Sequence, residues 1–483
     1  MLACAFALAV AQAPRLFSQD RLPSSRRYAA RLPAATPADA VLSPVNHMAV
    51  LPQPPESIPP GATTSAVPES CYSLEQLEAL ALANNPTLVQ AAAQVQAAQG
   101  QWVQAGLKPN PIAGYQGSEM GNEGSSGQQG AFISQEFVRR NKLRLSQAAQ
   151  GGAVAKAQQD MAAQRWRVVN DVRSEFFNVL VAQRAMELTQ ELVDIGRRGA
   201  DTTERLFKGE QIAYVEVLQA HVEYDAAQIT EQNARNRYDA AWRRLAATLG
   251  LPGLPPRPLV GDLRPPAEKI DFDVTLARLL TESPELASAY AGVQRARAAL
   301  ERAQVEPRPN LVVQLGLQRD NHTHDTIGNA QIGIPVPILD GNQGNIQTAY
   351  ADLRNAQAEV ARVELSLRNR LATAYETYSN ARNQVDKYVN DILPDSRKAL
   401  DLITKGYQEK QFSFLTLLTA QRTYARASLA YLQALQQSGV SRVAIEGLLL
   451  TGSLREVHAI DVPQIETGIA PVFGPGRPPV EVR

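Results

Sequence analysis

The chain carries the same pattern twice. Asn85-Pro86 recurs as Ser283-Pro284 at a spacing of 198 residues, and Pro109 and Pro111 recur as Pro307 and Pro309 at the same spacing. Further on, Val172, Ser174 and Phe176 correspond to Leu371, Thr373 and Tyr375 at 199. Gln211, Leu218, Ala220 and Tyr224 return as Gln411, Leu418, Ala420 and Tyr424 at 200. A spacing that drifts so little over so long a stretch means a duplicated structural unit. Any architecture for this chain must therefore be built of two like halves.

Proline marks where the halves begin and end. Of the 31 prolines, eleven fall in residues 1–70, six between Pro252 and Pro266, and five after Ile460. Proline lacks an N–H and fixes φ, so these stretches are not helix interiors. They divide the chain into a Pro-rich disordered leader (14–70), a first repeat (71–250), a linker (251–268), a second repeat (269–452) and a Pro-rich tail (453–483). The first 13 residues, MLACAFALAVAQA, have the apolar run and Ala-Gln-Ala ending of a secretory signal without its basic start. They read as a truncated signal, with a plain apolar N-terminus as the alternative. Leu2-Ala3-Cys4 looks like the end of a lipobox but stands too near Met1 to be processed as written, and Cys71 has no apolar run before it.

Within each repeat the periodicity changes in the same order. A helix opens at Asn85 or Ser283, both good N-cap residues, with a proline suited to the first turn. Ala, Gln, Glu and Arg carry it to about 107 and 305, where Pro109 and Pro307 force an extended exit. The period then becomes two. Leu311, Val313, Leu315 and Leu317 fall on one face of a strand, and Val312, Gln314, Gly316 and Gln318 on the other. Ile332, Ile334, Val336 and Ile338 alternate likewise after a polar connection from Arg319 to Gly328. Pro335 and Pro337 are placed near that strand's end, because a central strand disfavours them. The first repeat gives weaker strands at about 111–119 and 129–138, joined by GNEGSSGQQ.

After each hairpin come about a hundred residues of helical composition. Residues 141–207 alone would span about 100 Å as one helix at 1.5 Å per residue. A long antiparallel coiled-coil hairpin accounts for them, with Pro394 breaking the second repeat's long helix near its middle. The expected fold is mainly α with a small β part.

Composition removes several functions. Forty-eight Lys and Arg balance 48 Asp and Glu, leaving no basic excess for nucleic acid. Two cysteines and five histidines are little material for a disulfide scaffold or a metal cluster. No apolar run approaches the ~20 residues of a spanning helix. No GxSxG, P-loop, dinucleotide fingerprint or HExxH stands out, so neither catalysis nor a cofactor is expected.

The strands pose a physical question. In a soluble protein one face of the sheet would pack on helices. In a bilayer the strands must close into a barrel, because lipid offers an open edge no hydrogen-bond partners. Four strands do not close, since such barrels begin at eight. Three copies would supply twelve, and their helices would continue the barrel as a tube.

Here the residues resemble a known family. The NP-containing helix starts, the exits KPNP (108–111) and EPRPN (306–310), and the segments GEQIAYVEVLQAHVEY (209–224) and EKQFSFLTLLTAQRTY (409–424) are similar to the TolC-like outer-membrane efflux proteins over residues 72–450. IPVPILDGNQGNIQTA (334–349) resembles the segment that marks the CzcC-like, heavy-metal efflux subgroup. The resemblance implies a homotrimer with a twelve-stranded barrel in outer-membrane lipid and a periplasmic helical tunnel. It implies a passive duct that works with a periplasmic adaptor and an inner-membrane pump, of the RND type for this subgroup. Type I protein or drug export is an alternative cargo, and a soluble coiled-coil scaffold is the alternative of a different class.

The resemblance also places a site. Segments 208–218 and 408–418 correspond to the family's hairpin turns, which meet the adaptor and close the entrance. The residues it assigns are Gly209, Glu210, Tyr214, Glu216 and Leu218 in the first repeat, and Lys410, Phe414, Thr416 and Leu418 in the second. Family members usually have a glycine where this chain has Glu210 and Lys410, with Gly209 one place early. Glu216 keeps the acidic character of the entrance, whereas Thr416 replaces it in the second repeat. The bland alternative for Glu216 is a solvated carboxylate on a helix surface.

Other residues invite functional readings that their contexts do not favour. Asp320, His322, His324 and Asp325 could ligate a metal but read as a polar hairpin loop, and His221 reads as a helix-packing residue. Trp102, Trp166 and Trp242 read as packing residues. Tyr115, Phe132 and Phe137 fit either an interfacial belt or a core.

Overall fold

The computed structural model describes residues 71–121, 127–264, 266–409 and 411–454; the signal-like start, the leader, nearly all of the tail and Lys410 lie outside them. Each repeat opens with an 11-residue helix that the sequence reading lacked: α1 (Leu74–Asn84) and α5 (Phe272–Glu282). A capping box starts α1, with the Ser73 hydroxyl accepting the Gln76 N–H at 3.3 Å and Gln76 Oε1 accepting the Ser73 N–H at 3.1 Å. Asp271 caps α5 through the Val274 N–H at 2.9 Å. These helices are short and follow the Pro-rich stretches, so their periodicity has few turns in which to show.

The helices that follow are α2 (Pro86–Gly106) and α6 (Pro284–Val305). Asn85 ends α1 and caps α2, accepting the Thr87 N–H at 3.0 Å while its Nδ2 donates to the Thr248 carbonyl at 2.8 Å. Ser283 stands in the matching place, but its buried hydroxyl makes no cap bond. The expected cap is therefore real in one repeat only.

Four strands form one antiparallel sheet in the order β1-β2-β3-β4: β1 (Ile112–Ser118), β2 (Gln128–Phe137), β3 (Leu311–Asp320) and β4 (Thr326–Gly333). The central pair joins the repeats, with Phe137 opposite Leu311 and Gln128 opposite Asp320. β4 begins earlier than expected and stops at Gly333, opposite Val312. Ile334, Val336 and Ile338 alternate as a strand would, yet lie outside the ladder. Pro335 and Pro337 have no N–H to give, and β3 has only Leu311 left to pair.

The long helices are α3 (Lys142–Lys208), α4 (Tyr214–Thr248), α7 (Gln343–Lys387), α8 (Leu393–Gln408) and α9 (Phe414–Glu446). At 67 residues, α3 spans about 100 Å. Between α7 and α8 lies a π-helical turn, Tyr388–Ile392. Pro394, in the first turn of α8, lacks the N–H that would bond four residues back, and the wider winding accommodates the lost bond. The break expected at Pro394 is a local widening rather than an end.

α3 packs on α2, α4, α6 and α9 and so holds the repeats together. The first repeat's core gathers Leu77, Val168, Val172, Trp242, Leu245 and Leu249, with the Trp242 indole N–H donating to the Leu254 carbonyl at 2.9 Å. The second gathers Leu279, Leu286, Leu367, Leu371, Tyr378 and Leu450. Trp166 packs against this second core, while Trp102 is partly exposed. The linker is pinned rather than loose: Leu259 is buried in the first core, and Tyr72 exchanges backbone bonds with Pro258 and Val260 at 3.2 and 3.3 Å.

Candidate functional site

The sheet has two chemically different faces. Residues paired across antiparallel strands share a face, so the register groups Ala113 and Tyr115 with Ala131, Ile133 and Phe137, and with Val313, Leu315, Leu317, Ala330 and Ile332. Tyr115, Ile133, Phe137, Leu315, Leu317 and Ile332 are all exposed. The polar members of this face are Gln129, Arg319 and Thr326 at the end away from the helices, and Gln135, whose Nε2 donates to the carbonyls of Pro109 and Glu136 at 2.9 Å each.

The opposite face groups Gln116, Ser118, Ser134, Glu136, Gln314, Gln318, Asn329 and Gln331. Gln318 is buried there, accepts from Asn329 Nδ2 and approaches the Ser118 hydroxyl at 3.5 Å. Glu136 accepts from Asn310 Nδ2 at 2.7 Å. Phe132 belongs to this face, its ring lying over Gly114, where a Cβ would come within 2.7 Å of it. Of the three aromatic residues considered for a belt, Tyr115 and Phe137 stand on the apolar face and Phe132 does not. No helix among the described residues is long and apolar enough to cross a membrane.

Where strands meet helices, a polar cluster fixes the junction. Lys142 is buried, donating to the Glu306 carbonyl at 3.0 Å and lying 3.6 Å from its carboxylate. Arg302 pairs with the same carboxylate and donates to the Ser146 hydroxyl at 3.0 Å. Burial and, secondarily, the Arg302 charge hold the Lys142 ammonium below the usual lysine range.

At the other end, the chain turns twice within the segments that the family resemblance marks. α3 ends at Lys208 and α4 begins at Tyr214; α8 ends at Gln408 and α9 begins at Phe414. The first turn is a Schellman motif: the Gln211 N–H bonds the Leu206 carbonyl at 2.9 Å and the Glu210 N–H bonds that of Phe207 at 2.8 Å. Its left-handed position is Glu210, with φ of 52°. That is the residue standing where the family usually has glycine, so the backbone keeps the glycine geometry without the glycine. Gly209, one place early, has φ of −86° and no need of being glycine. The second turn repeats the longer of these bonds, from the Gln411 N–H to the Gly406 carbonyl at 2.7 Å.

The candidate residues separate into two environments. Phe414 and Leu418 are buried with Tyr407, Leu417, Ala200 and Ala220 in a core between the hairpins. Tyr214 and Leu218, their repeat partners, are exposed. Thr416 and Glu216 are half-buried. The Ser413 hydroxyl caps α9 through the Thr416 N–H at 3.3 Å. Burial, and then the Glu216 charge, push the Tyr407 hydroxyl up to about 12. Tyr407 itself has no hydrogen-bond partner among the described residues.

Of three polar contacts that sequence reasoning missed, two tie the hairpins together and one braces the second hairpin. Arg422 on α9 pairs with Glu223 on α4. Arg397 on α8 reaches Glu191 on α3 at 3.1 Å and the Tyr424 hydroxyl at 2.8 Å. Their signal lay in the repeat alignment, since Tyr424 is the partner of Tyr224, but a single sequence does not say which helices face each other. His221 lies 3.1 Å from Glu204 across α3 and α4. In the β3–β4 loop, Asp320 accepts the backbone N–H groups of His322 and Thr323 at 2.8 and 3.3 Å. Among the described residues no three potential ligands gather for a metal.

The sequence pattern of the outer membrane efflux proteins matches residues 77–251 and 275–449, once on each repeat. The chain belongs to this family. It is 28% identical over 391 residues to the cobalt-zinc-cadmium resistance protein CzcC of Cupriavidus metallidurans, covering 78% of this chain and 90% of that protein. Its fold is similar to the outer-membrane channel OprN, with a TM-score of 0.67 and 19% identity over 79% of this chain and 90% of that one. The outer membrane protein VceC of Vibrio cholerae gives 0.66 and 17%, over 79% and 96%. As an outer membrane efflux protein the chain resides in the outer membrane, and the soluble scaffold reading falls away. The fold is the mainly α channel fold with its strands collected at one end.

Proposed function

We propose that this outer membrane efflux protein is the passive exit duct of a tripartite system that exports divalent heavy-metal cations. The observation that carries the reading is the four-stranded sheet, apolar on one face, polar on the other, with β1 and β4 unpaired at its edges. Such a sheet is stable in lipid only when its edges are closed. Three copies joined β4 to β1 make a closed barrel of twelve strands with a polar lumen.

The long helices then continue the lumen through the periplasm. The exposed residues Tyr214 and Leu218, with Gly209, Glu210 and Lys410 in the turns, meet a periplasmic adaptor. Phe414 and Leu418 fix the hairpins to each other, and Glu216 and Thr416 line the entrance. An inner-membrane pump of the RND type supplies the energy, so the duct needs no catalysis and no cofactor. The metal cargo is supported by the likeness to CzcC.

The test is deletion of the gene in its own host, followed by growth on cobalt, zinc and cadmium salts and on dyes and detergents. The reading predicts a several-fold fall in the tolerated metal concentration with unchanged tolerance of organic compounds. Unchanged metal tolerance with new sensitivity to organic compounds would replace the metal cargo by drugs.

A further inference from the structure

The two ends of the sheet carry different charge. The end away from the helices holds the carboxylates Glu119, Asp320 and Asp325 and the single guanidinium Arg319 among the described residues. The helix end gathers five exposed cations from separate stretches of chain. Lys108 precedes β1, Arg139 and Arg140 follow β2, Arg144 lies in the first turn of α3, and Arg308 precedes β3.

None of the five pairs with a carboxylate among the described residues. The carboxylates of that zone are already engaged. Glu306 is held by Lys142 and Arg302, Glu136 by Asn310, and Asp340 by the Asn342 N–H at 2.8 Å.

Arg140 adds a second kind of observation. It has φ of 61°, followed by Asn141 at 58°, a backbone region that glycine and asparagine tolerate but that strains arginine. In the second repeat Asn342 has the matching φ of 61°, and the two residues before it are Asp340 and Gly341. The turn into the helix is thus made without a dibasic pair in one repeat, while the other keeps arginine in a strained conformation. These cations adjoin the last rung of the apolar face, where Phe137 pairs with Leu311.

We propose that Lys108, Arg139, Arg140, Arg144 and Arg308 form a collar that binds the phosphates of anionic phospholipid headgroups in the leaflet on the helix side of the membrane. The collar rests on the reading of the strands as crossing the outer membrane. Long basic side chains at the edge of an apolar band reach into the headgroup layer. Guanidinium groups grip phosphate oxygens in pairs, and a lipid with net negative charge gains over a zwitterionic one with every such cation.

The experiment uses the full chain purified in detergent and incubated in mixed micelles of phosphatidylglycerol and phosphatidylcholine in equal amounts. The lipids that stay with the protein are then counted by native mass spectrometry. Phosphatidylglycerol is expected to be enriched about fivefold or more, since a single basic residue near an anionic surface is worth about that factor. The enrichment should fall in high salt, weaken in R139Q/R140Q, and vanish in K108Q/R139Q/R140Q/R144Q/R308Q. If the fivefold variant does not assemble, the double variant and the salt series decide. Equal retention of both lipids by the wild type, or enrichment unchanged in the double variant, would overturn the proposal. So would a variant that alters the ion selectivity of the channel and not its lipids, because the cations would then face the lumen. A chain that is not an outer-membrane trimer defeats the duct reading, whereas a trimer without lipid preference defeats only the collar.

Discussion

Tyr214 and Phe414 begin equivalent helices in the two repeats, yet Tyr214 is 57% exposed and Phe414 only 4%. The hairpins are therefore not interchangeable. Phe414 packs against the Tyr407 ring with centroids 5.9 Å apart, in the core that joins the hairpins, while Tyr214 touches Phe207 within its own hairpin. Removing a buried phenyl ring costs about 3–5 kcal/mol, and trimming an exposed side chain stays within about 0.5 kcal/mol. Phe414→Ala is expected to lower the thermal midpoint clearly and Tyr214→Ala to leave it in place, as read by circular dichroism of the detergent-solubilised protein.

Glu210 occupies the left-handed position of its Schellman turn. A non-glycine residue there is strained by roughly 1 kcal/mol or more. Glu210→Gly should therefore stabilise the folded protein by about 1 kcal/mol, less what glycine adds to the freedom of the unfolded chain. Denaturant unfolding at fixed detergent concentration measures it, and a fall in stability would mean that the Glu210 side chain holds the turn in some other way.

Tyr407 gives the tip core a dependence on alkaline pH. Its hydroxyl, raised by burial and by Glu216 to about 12, stays protonated in the folded protein at a pH where an unfolded tyrosine has ionised. The folded state then binds more protons than the unfolded state, so stability falls as pH rises. This contribution is complete below about pH 10, the ordinary tyrosine value, and is lost as pH climbs towards 12. Tyr407→Phe removes the titration and, because the hydroxyl has no partner among the described residues, does not lower stability at neutral pH. Thermal melts of both proteins from pH 8 to 12 should diverge only above pH 10.

In the proposed duct Glu216 lines the entrance, with Thr416 in its place in the second repeat. Three carboxylates around a narrow opening favour cations. Glu216→Gln is expected to reduce cation preference in single-channel recordings at low salt. An unchanged preference would leave Glu216 with no role beyond its neighbourhood to Tyr407.

The sequence made some of this legible and concealed the rest for physical reasons. Spacing between Pro109 and Pro307 located the helix exits because duplication preserves length, whereas the hairpin turns came from the family resemblance of residues 208–218 and 408–418. The alternation from Leu311 to Leu317 revealed a two-faced strand, since period two has no other simple cause. That same alternation misled past Gly333: Ile334, Val336 and Ile338 keep the period, but ladder pairing depends on N–H groups that Pro335 and Pro337 lack. Ser283 looked as good a cap as Asn85, and only the fold shows its hydroxyl idle. The influence of the Glu216 charge on Tyr407, and the pairing of Arg422 with Glu223, depend on which hairpins face each other. That is set by packing between the repeats and leaves no mark on either one alone.

The central claim is that four strands per chain close only as part of a trimer. The direct measurement is the protein mass of the full chain extracted from outer membranes, by light scattering with the detergent contribution subtracted. A single species at three times the chain mass, lost from the membrane fraction only with detergent, is the predicted result. A monomer or dimer of full helical content would contradict it, because the edges of β1 and β4 would then be satisfied without a neighbouring copy on each side.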